Sequence, residues 1–321
     1  MASVESIAVL GGTGFVGGHL VSRLSGDGHR VRVLSRHPHR HRQLALLPNV
    51  ELVRCDVFDA RALRRALAGC SAVINLIGIL NESHHQTFRQ VHVALPARIV
   101  EACKSCGIHR MLHMSALNAD SGAPSRYLRS KGEGENLVHT TSGGRLAVTS
   151  FRPSVIFGPG DSFLNRFTSL LRLMPGVMPL ACPKSVLSPV YVGDVVDAMV
   201  RALTDRDTFG KRIELCGPRE YSLKELVALA ARYSGQSPTI VPLPRWASKT
   251  QAIIMGSLPG KLFTLDNYHS LRVPSVCRQR QHGRTPIEAV APLYLGKLGR
   301  EARMQAYRQR AAEEWAQDEF A

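Results

Sequence analysis

The sequence predicts an α/β fold, a Rossmann-type doubly wound parallel sheet followed by a smaller C-terminal lobe. Short apolar runs alternate with amphipathic runs through the first half of the chain, and a glycine-rich turn follows the first of them. After about Gly158 this alternation loosens, and the stretch from Pro242 to Pro274 is broken by proline and glycine. Strands that alternate with helices of about 10–15 residues are typical of βαβ units and a parallel sheet.

The predicted elements are runs ended by Gly, Asp or Ser, which favour turns. Strands are predicted at 7–10, 31–34, 50–54, 72–77, 110–114 and 148–152. Helices are predicted at 15–25, 60–68, 87–106 and 130–140. In the second half, strands are predicted at 190–192 and 212–215, and helices at 195–203, 222–234 and 300–315.

Length and composition are those of an ordinary globular protein. At about 150 residues per domain, 321 residues suggest two domains, and the 44% apolar and 21% charged residues exclude disorder and coiled coil as the overall class. We expect residues 1–160, joined by 186–217, to form the sheet domain, and 161–185 with 218–321 to form the lobe. The longest apolar stretch, 72–80, is shorter than the roughly 18 residues of a membrane span. No basic leader precedes the first strand, so a soluble protein of the reducing cytoplasm is expected.

The chain is strongly basic, with 41 Lys and Arg against 25 Asp and Glu and a net charge of +16. One basic cluster occupies residues 29–42, and a second occupies residues 278–310. No aromatic residue interleaves the first cluster, so no base-stacking platform and no nucleic-acid partner are expected. The remaining explanations for the charge are an anionic membrane surface and a polyanionic cofactor.

The seven cysteines form no regular framework. Cys103 and Cys106 have the spacing of a redox dithiol, but two small packing residues on a helix flank are the favoured interpretation. No second Cys/His pair has zinc spacing, so no metal site is expected.

A glycine motif follows the first predicted strand and opens the first predicted helix. Gly11 permits a tight turn, Gly14 lets the backbone approach a pyrophosphate, and Gly17 lets helix and strand pack closely. This order of strand, loop, helix and second strand predicts a dinucleotide site; a purely structural turn is the alternative. The other loop residues of the predicted site are Thr13, Phe15 and Val16.

The end of the second strand selects the cofactor. Sites for NAD usually have Asp or Glu there for the ribose 2′-hydroxyl, whereas this chain has Ser35 and Arg36. A guanidinium fits a 2′-phosphate, so NADP(H) is predicted and NAD(H) is less favoured. A solvated basic loop is the alternative interpretation.

Two further strand ends are expected to complete the cofactor site. Asp56 and Val57 follow the third strand, where a carboxylate can meet the adenine amino group. Leu76, Ile77 and Gly78 follow the fourth strand and form a small turn against which the cofactor can lie.

A Ser, Tyr and Lys set points to proton transfer. Ser115 ends a predicted strand, and Tyr127 and Lys131 are four apart, which places them on one face of a helix. A nearby ammonium and the nicotinamide charge are expected to lower the pKa of Tyr127, so that it exchanges a proton with a substrate oxygen. The Ser115 hydroxyl is expected to hold that oxygen.

Together these motifs make the chain similar to the short-chain dehydrogenase/reductase superfamily, in its extended or atypical branch. The resemblance implies Ser115, Tyr127 and Lys131 as the catalytic triad and a C-terminal lobe that binds the substrate. It further implies that Pro153 and Ser154 lie beside the nicotinamide.

Three stretches of the sequence resemble the nucleotide-binding accessory subunit of respiratory complex I and its bacterial relatives. They are residues 127–135, 265–267 and 284–295. That resemblance implies tight NADPH binding, a structural role, and a link to quinone biosynthesis. The chain has His92 where the superfamily often has Asn, which puts a proton relay there in doubt, and Ser115–Asn118 lacks the pattern of nucleotide-sugar epimerases.

The sequence is therefore consistent with two functions. The first is an oxidoreductase that moves hydride between NADP(H) and an unknown carbonyl or alcohol substrate. The second is an NADPH-binding component of a respiratory or quinone-synthesis assembly that does not turn over. An enclosed pocket above Tyr127 favours the first, and a pocket filled by Phe157, Phe163 and Leu164 favours the second.

Two segments of the second half allow a membrane interpretation. The basic helix at 300–315 is expected to pack on the lobe, with peripheral contact to anionic lipid at the inner membrane face as the alternative. The apolar residues of 242–274 are interpreted as core rather than as a membrane-dipping surface. A role of this segment as a lid is a further alternative. The apolar residues are Trp246, Ile253, Ile254, Met255, Leu258, Leu262 and Phe263.

Overall fold

The computed structural model describes residues 6–83, 85–173, 176–258, 261–278 and 283–296. The helix predicted at 300–315 lies outside these ranges. The strands are β1 (Ser6–Leu10), β2 (Arg30–Ser35), β3 (Val50–Arg54), β4 (Ala72–Asn75), β5 (Arg110–Met114), β6 (Ala147–Pro153), β7 (Ile156–Phe157), β8 (Val177–Leu180), β9 (Val186–Leu187), β10 (Val190–Tyr191), β11 (Arg212–Leu215), β12 (Tyr221–Ser222) and β13 (Thr239–Pro242).

The helices alternate with these strands. They are α1 (Phe15–Gly26), α2 (Arg42–Ala45), α3 (Ala60–Leu67), α4 (Leu95–Ser105), α5 (Arg126–Thr141), α6 (Phe163–Leu173), α7 (Val192–Ala202), α8 (Leu223–Tyr233), α9 (Arg245–Ser257), α10 (Leu265–Leu271) and α11 (Ile287–Leu295). Short 3₁₀ turns lie at Pro38–His41 and Arg206–Thr208, and a π-helical turn at Arg89–Ala94 leads into α4.

Seven parallel strands form the central sheet in the order β11-β6-β5-β4-β1-β2-β3. The chain moves outward from β1 to β3 on one side and then returns to place β4 on the other side of β1. The strand order therefore reverses between β1 and β4, where open α/β sheets bind their ligands. The predicted doubly wound fold class is confirmed.

Alternate residues of β1 pack on opposite faces of the sheet, as the two-residue period of a strand requires. Ile7 and Val9 join a core with residues of α1 and α7. Ala8 and Leu10 join a second core with residues of α3 and α4. Both faces of the sheet are thus covered by helices, which agrees with the burial of nearly all residues of β1, β4 and β5.

A third core lies outside the sheet. It joins α6, α8 and α11 through side chains that include Leu164, Leu226 and Leu295. α6 and α11 were not predicted from the sequence, and neither were α9 and α10, which fall in the stretch broken by proline and glycine. The predicted domain boundaries stay a prediction.

The core interpretation of 242–274 is wrong for four residues of α9 and the turn that follows it. Ser248 and Ala252, one turn apart, form the buried side of α9, so larger residues on the opposite side face solvent. The exposed fractions are 75% for Trp246, 53% for Ile253, 59% for Ile254 and 51% for Leu258. In the ranges described, no helix combines the length and apolar character that crossing a bilayer requires.

Candidate functional site

The glycine loop between β1 and α1 is a tight backbone cradle. Gly11 has a φ of +80°, and a Cβ there would lie 3.1 Å from the backbone N of Ile77. A Cβ on Gly17 would lie 2.2 Å from the carbonyl oxygen of Gly11, so only glycine allows this approach of helix to loop. Each glycine therefore has the packing role that the motif predicts.

The first turn of α1 has the properties of an anion site. Gly14 is the N-cap residue; its N–H donates to Gly11 O at 3.0 Å, and no side chain caps the helix. The first turn also contains no acidic residue. Free N–H groups and the helix dipole favour a negative group here. Thr13, Phe15 and Val16 lie in this loop and first turn, as predicted.

Ser35 and Arg36 lie at the carboxyl end of β2, beside the glycine loop in the sheet. The Ser35 Oγ accepts from the N–H of His37 at 3.2 Å. The Arg36 side chain is exposed and, within the described ranges, forms no ion pair with a carboxylate. By contrast, Arg32 is held by Glu51 and by the carbonyl of Ala66.

The ends of β3 and β4 continue along the same edge of the sheet. Asp56 is exposed and accepts from the N–H of Phe58 at 3.0 Å, which forms an Asx turn, and Val57 beside it is buried. After β4, the N–H of Leu76 donates to Leu10 O at 2.9 Å. Ile77 and Gly78 follow, and the N–H of Ile77 donates to Asn75 Oδ1 at 3.2 Å, which forms an Asx turn.

Ser115 follows β5 directly and is 3% exposed. Its N–H donates to the carbonyl of Phe151 at 2.8 Å, which fixes the residue at the strand end. Among the described residues, its hydroxyl is the one buried side-chain polar atom without a hydrogen-bond partner. Leaving a buried hydroxyl unpaired costs about 1–3 kcal/mol, so the position suits a bound ligand atom.

Tyr127 and Lys131 lie on successive turns of α5, beside the end of β5. The Lys131 Nζ is buried and donates to the carbonyl of Met114 at 2.9 Å, one residue before Ser115. A Cβ on Gly78 would lie 3.1 Å from that Nζ, so the ammonium also reaches the turn after β4. The structure therefore gathers the three predicted catalytic residues at one end of the sheet.

Burial shifts the pKa values of Tyr127 and Lys131 in opposite directions. Burial raises the pKa of Tyr127 to about 12, and the Asp266 carboxylate adds to the rise. Burial also lowers the pKa of Lys131 to about 8, against the opposing charge of Glu135. In the protein without nucleotide, burial and the Asp266 charge thus raise the pKa of Tyr127, which is the opposite of the direction expected with the ammonium and the nicotinamide charge.

His92 lies in the π-helical turn and is a neutral structural group. The N–H of Ile79 donates to its Nε2 at 3.0 Å, so Nδ1 carries the proton and donates to Ser130 Oγ at 2.8 Å. Burial and then the Lys131 charge lower the pKa of His92 to about 2. Its ring lies 5.6 Å from that of Tyr127. Both ring nitrogens are thus engaged, and His92 links the turn after β4 to α5.

Asp266 of α10 is a site neighbour that motif reasoning missed. Its carboxylate accepts from the N–H of Arg126 at 2.6 Å and of Tyr127 at 3.0 Å, at the start of α5. Thr264 and Asn267 form a reciprocal capping box that orients α10. Only the family resemblance of 265–267 marked this position, because 139 residues separate Asp266 from Tyr127.

Glu135 anchors α5 to two strands. It is fully buried, accepts from Arg152 of β6 at 2.7 and 2.9 Å, and is also bound by Arg212 of β11. Two guanidinium groups compensate one buried carboxylate, which fixes the helix that carries Tyr127 and Lys131.

Pro153 and Ser154 end β6 in the same region. The carbonyl of Pro153 accepts from Leu117 N–H at 2.9 Å, and Ser154 Oγ donates to the carbonyl of Ser275 at 2.8 Å. The Ser154 hydroxyl is therefore already engaged by the segment that holds Ser275.

The residues expected to fill a closed pocket pack elsewhere. Phe157 and Leu164 are buried in the third core, and Phe163 packs against it. Tyr127 packs instead against the small cluster of Ala116, Ala123 and Leu128. Phe157 and Leu164 are therefore part of another core, and the enclosed pocket above Tyr127 stays a prediction.

Two known proteins are similar to this chain in sequence. The chain is 33% identical over 264 residues to subunit 9 of the NADH dehydrogenase [ubiquinone] 1 alpha subcomplex, mitochondrial, of Mus musculus, which covers 81% of this chain and 67% of the relative. It is 32% identical over 240 residues to "Ceramide reductase" of Caulobacter vibrioides, which covers 74% of this chain and 73% of the relative.

Solved structures share the fold. The UDP-glucuronic acid 4-epimerase of Bacillus cereus superposes with a TM-score of 0.64 at 21% identity, over 85% of this chain and 95% of that one. The UDP-glucose 4-epimerase of Thermus thermophilus superposes with a TM-score of 0.62 at 20% identity, over 82% and 98%.

The family model described as "NAD dependent epimerase/dehydratase family" matches residues 7–216, which is more than half of the chain. The match begins in β1, includes the glycine loop and the Tyr127–Lys131 helix, and ends just after β11. The chain belongs to the NAD dependent epimerase/dehydratase family, within the extended short-chain dehydrogenases/reductases.

Proposed function

We propose that this protein is an NADP(H)-dependent oxidoreductase that interconverts a carbonyl and an alcohol. The observation that carries the proposal is the buried, unpartnered Ser115 hydroxyl next to the carbonyl that binds Lys131. A hydroxyl left without a partner inside the protein is suited to hold a substrate oxygen.

The residues divide the work of a reduction. A bound NADPH supplies the hydride to the carbonyl carbon. Ser115 holds the carbonyl oxygen, and Tyr127, protonated at neutral pH because its pKa is raised, donates the proton that completes the alcohol. In this proposal Lys131, whose Nζ lies close to Gly78, holds the nicotinamide ribose. The glycine loop and α1 are suited to the pyrophosphate.

Arg36 supports NADP(H) rather than NAD(H). It is exposed at the end of β2, with no carboxylate partner among the described residues and no acidic residue at the adjacent Ser35 position. A guanidinium is the preferred group for a 2′-phosphate, so Arg36 is the discriminating residue in this proposal.

A second candidate is an NADPH-binding component that does not turn over. The similarity to the NADH dehydrogenase subunit of Mus musculus favours it. To separate the two, the purified protein is assayed for its bound nucleotide and for oxidation of that nucleotide by small ketones, ceramide-like ketones and quinones. Turnover with any of these supports the enzyme; tight NADPH with no turnover across the panel supports the second candidate.

We also propose peripheral association with the inner face of a membrane from the cytoplasm. The solvent side of α9 places Trp246 and Ile253 two turns apart, next to Arg245 and Lys249. No acidic residue occurs between Glu225 and Asp266. Apolar side chains among cations suit an anionic lipid surface.

Vesicle co-sedimentation tests this association. We expect binding to anionic but not to neutral vesicles, reversal by salt, and loss in Trp246→Ser combined with Ile253→Ser. A variant that lacks residues 299–321 measures how much of the vesicle binding the basic C-terminal segment contributes. No binding to anionic vesicles at low salt excludes the association.

A further inference from the structure

Two cysteines far apart in the sequence are bonded to each other. Cys216 follows β11, and Cys277 lies 61 residues later, with 5.9 Å between the two Cα atoms. The dithiol considered from spacing, Cys103 and Cys106, is unbonded, and burial raises the pKa of Cys103 to about 12. The bonded pair is therefore not the one with dithiol spacing, and its separation of 61 residues gives no local signal.

The bond anchors a strap, defined here as residues 274–278, across the carboxyl edge of the sheet. The carbonyl of Pro274 accepts from Asn118 Nδ2 at 2.8 Å, three residues after Ser115. The carbonyl of Ser275 accepts from Ser154 Oγ at 2.8 Å, at the end of β6. The strap thus touches the loops after β5 and β6, which border the candidate site.

The two bonded cysteines differ in exposure. Cys216 is fully buried, whereas Cys277 is partly exposed. A thiolate that arrives from solvent therefore attacks the sulfur of Cys277, and the sulfur of Cys216 leaves. In a reducing compartment, disulfides are more often reversible than permanent, which agrees with a bond that has one accessible end.

We propose that Cys216 and Cys277 form a site of thiol–disulfide exchange with dithiols. Reduction of the bond detaches the strap at Cys277, and reoxidation attaches it again. One thiolate of the dithiol attacks Cys277 Sγ, the bond to Cys216 breaks, and the Cys216 sulfur takes up a proton. The second thiol of the reductant attacks the mixed disulfide and releases Cys277 as a thiol. The protein gains two electrons and two protons, and the dithiol becomes a disulfide.

Release breaks the covalent bond at Cys277 and leaves the hydrogen bonds of the strap, including the one that Arg278 N–H donates to Glu214 Oε2 of β11 at 2.9 Å. Ser275 keeps its backbone hydrogen bonds, from its own N–H to Val186 O at 2.8 Å and from Ser188 N–H at 2.9 Å. Cys277 loses its covalent link to Cys216, so a hydrogen bond, from Arg278 to Glu214, takes over the attachment of this end to β11. After reduction the strap beside the candidate site is less constrained, and NADPH binding must then order it at an entropic cost. We therefore expect the NADPH affinity to fall about 2- to 10-fold on reduction. This readout rests on the proposed function.

The experiment counts thiols in the full-length protein, equilibrated in mixtures of reduced and oxidised dithiothreitol and then alkylated. Seven cysteines with one disulfide give five reactive thiols after denaturation, and we expect a reversible change to seven while circular dichroism stays native. Cys277→Ser should abolish the change. Cys182→Ser, which removes a partly exposed free thiol, is the matched control and should retain it.

Three results overturn the proposal. Five thiols at every native dithiol ratio mean a permanent staple, and seven thiols under oxidising conditions mean that no bond forms. A reversible change with equal NADPH affinity in both states means that the strap does not communicate with the site. Absence of NADPH binding in both states is a failure of the proposed function instead, and the thiol count then decides the exchange site alone.

Discussion

The two ends of the candidate nucleotide site are built on different principles. At the glycine end, backbone shape provides the site: Gly11, Gly14 and Gly17 open a space, and the first turn of α1 presents its N–H groups. At the other end, buried side chains provide it: Ser115 and Lys131 are almost inaccessible. A backbone site depends on local sequence, whereas a side-chain site depends on neighbours that folding brings from far away.

The largest expected contrast comes from removing the Tyr127 hydroxyl. Tyr127→Phe should lower turnover by about 10²- to 10⁴-fold, the usual contribution of a general acid, while NADPH still binds. Steady-state rates with the most active ketone and a fluorescence titration of NADPH measure the two effects. Tyr233→Phe, in the lobe, is the control, and a Tyr127 variant with normal turnover removes the proposed acid.

At the glycine end, the corresponding substitution changes cofactor choice. Arg36→Ala should weaken NADPH binding about 10- to 100-fold and leave NADH binding unchanged, because a charge-assisted contact to the 2′-phosphate is lost. Isothermal titration with both nucleotides measures this, with the exposed Arg61→Ala as the control. Equal affinity of the wild type for NADPH and NADH contradicts the assignment.

A pair of alanine variants tests whether the nucleotide site at the glycine loop depends on the close approach of the backbone. Gly17→Ala forces a Cβ to within 2.2 Å of a carbonyl oxygen, so it should cost about 1–3 kcal/mol of stability and impair nucleotide binding. Gly18→Ala meets nothing within 4 Å and should be neutral or stabilising. Chemical denaturation measures both, and equal effects would refute the close approach.

The smallest expected effect is a shift in pH dependence at the side-chain end. The Asp266 charge raises the pKa of Tyr127, so Asp266→Asn should lower that pKa and move the alkaline limb of turnover to lower pH. The amide oxygen still accepts a hydrogen bond at the start of α5. A pH–rate profile compares this variant with Asp207→Asn, an exposed control, and an unmoved limb excludes the coupling.

The same contrast explains what the sequence could predict. The glycine loop, the strand ends and the Tyr127–Lys131 pair follow from short spacings, and the sheet follows from apolar periodicity, so the fold class is correct. The raised pKa of Tyr127 depends on burial and on Asp266, 139 residues away, and no local pattern contains that information.

The lobe resisted prediction for a similar reason. α9 places Ser248 and Ala252 inward and Trp246 outward, the reverse of what residue type suggests. Which side of a helix is covered depends on its tertiary neighbours. Here the inward side packs close to β8, where Gln251 donates to the carbonyl of Pro179 at 3.2 Å.

The Glu135 cluster has a consequence for how the chain folds as it is synthesised. Arg212 emerges from the ribosome long after Glu135 and Arg152, yet it completes the charge compensation of a fully buried carboxylate. Until then β6 is an open sheet edge, since β11 is its outer partner. A nascent chain that stops near residue 160 therefore holds an unfinished nucleotide-binding half. We expect truncated chains that end before residue 215 to bind chaperones or to be degraded by proteases, and chains that include residue 215 to resist both.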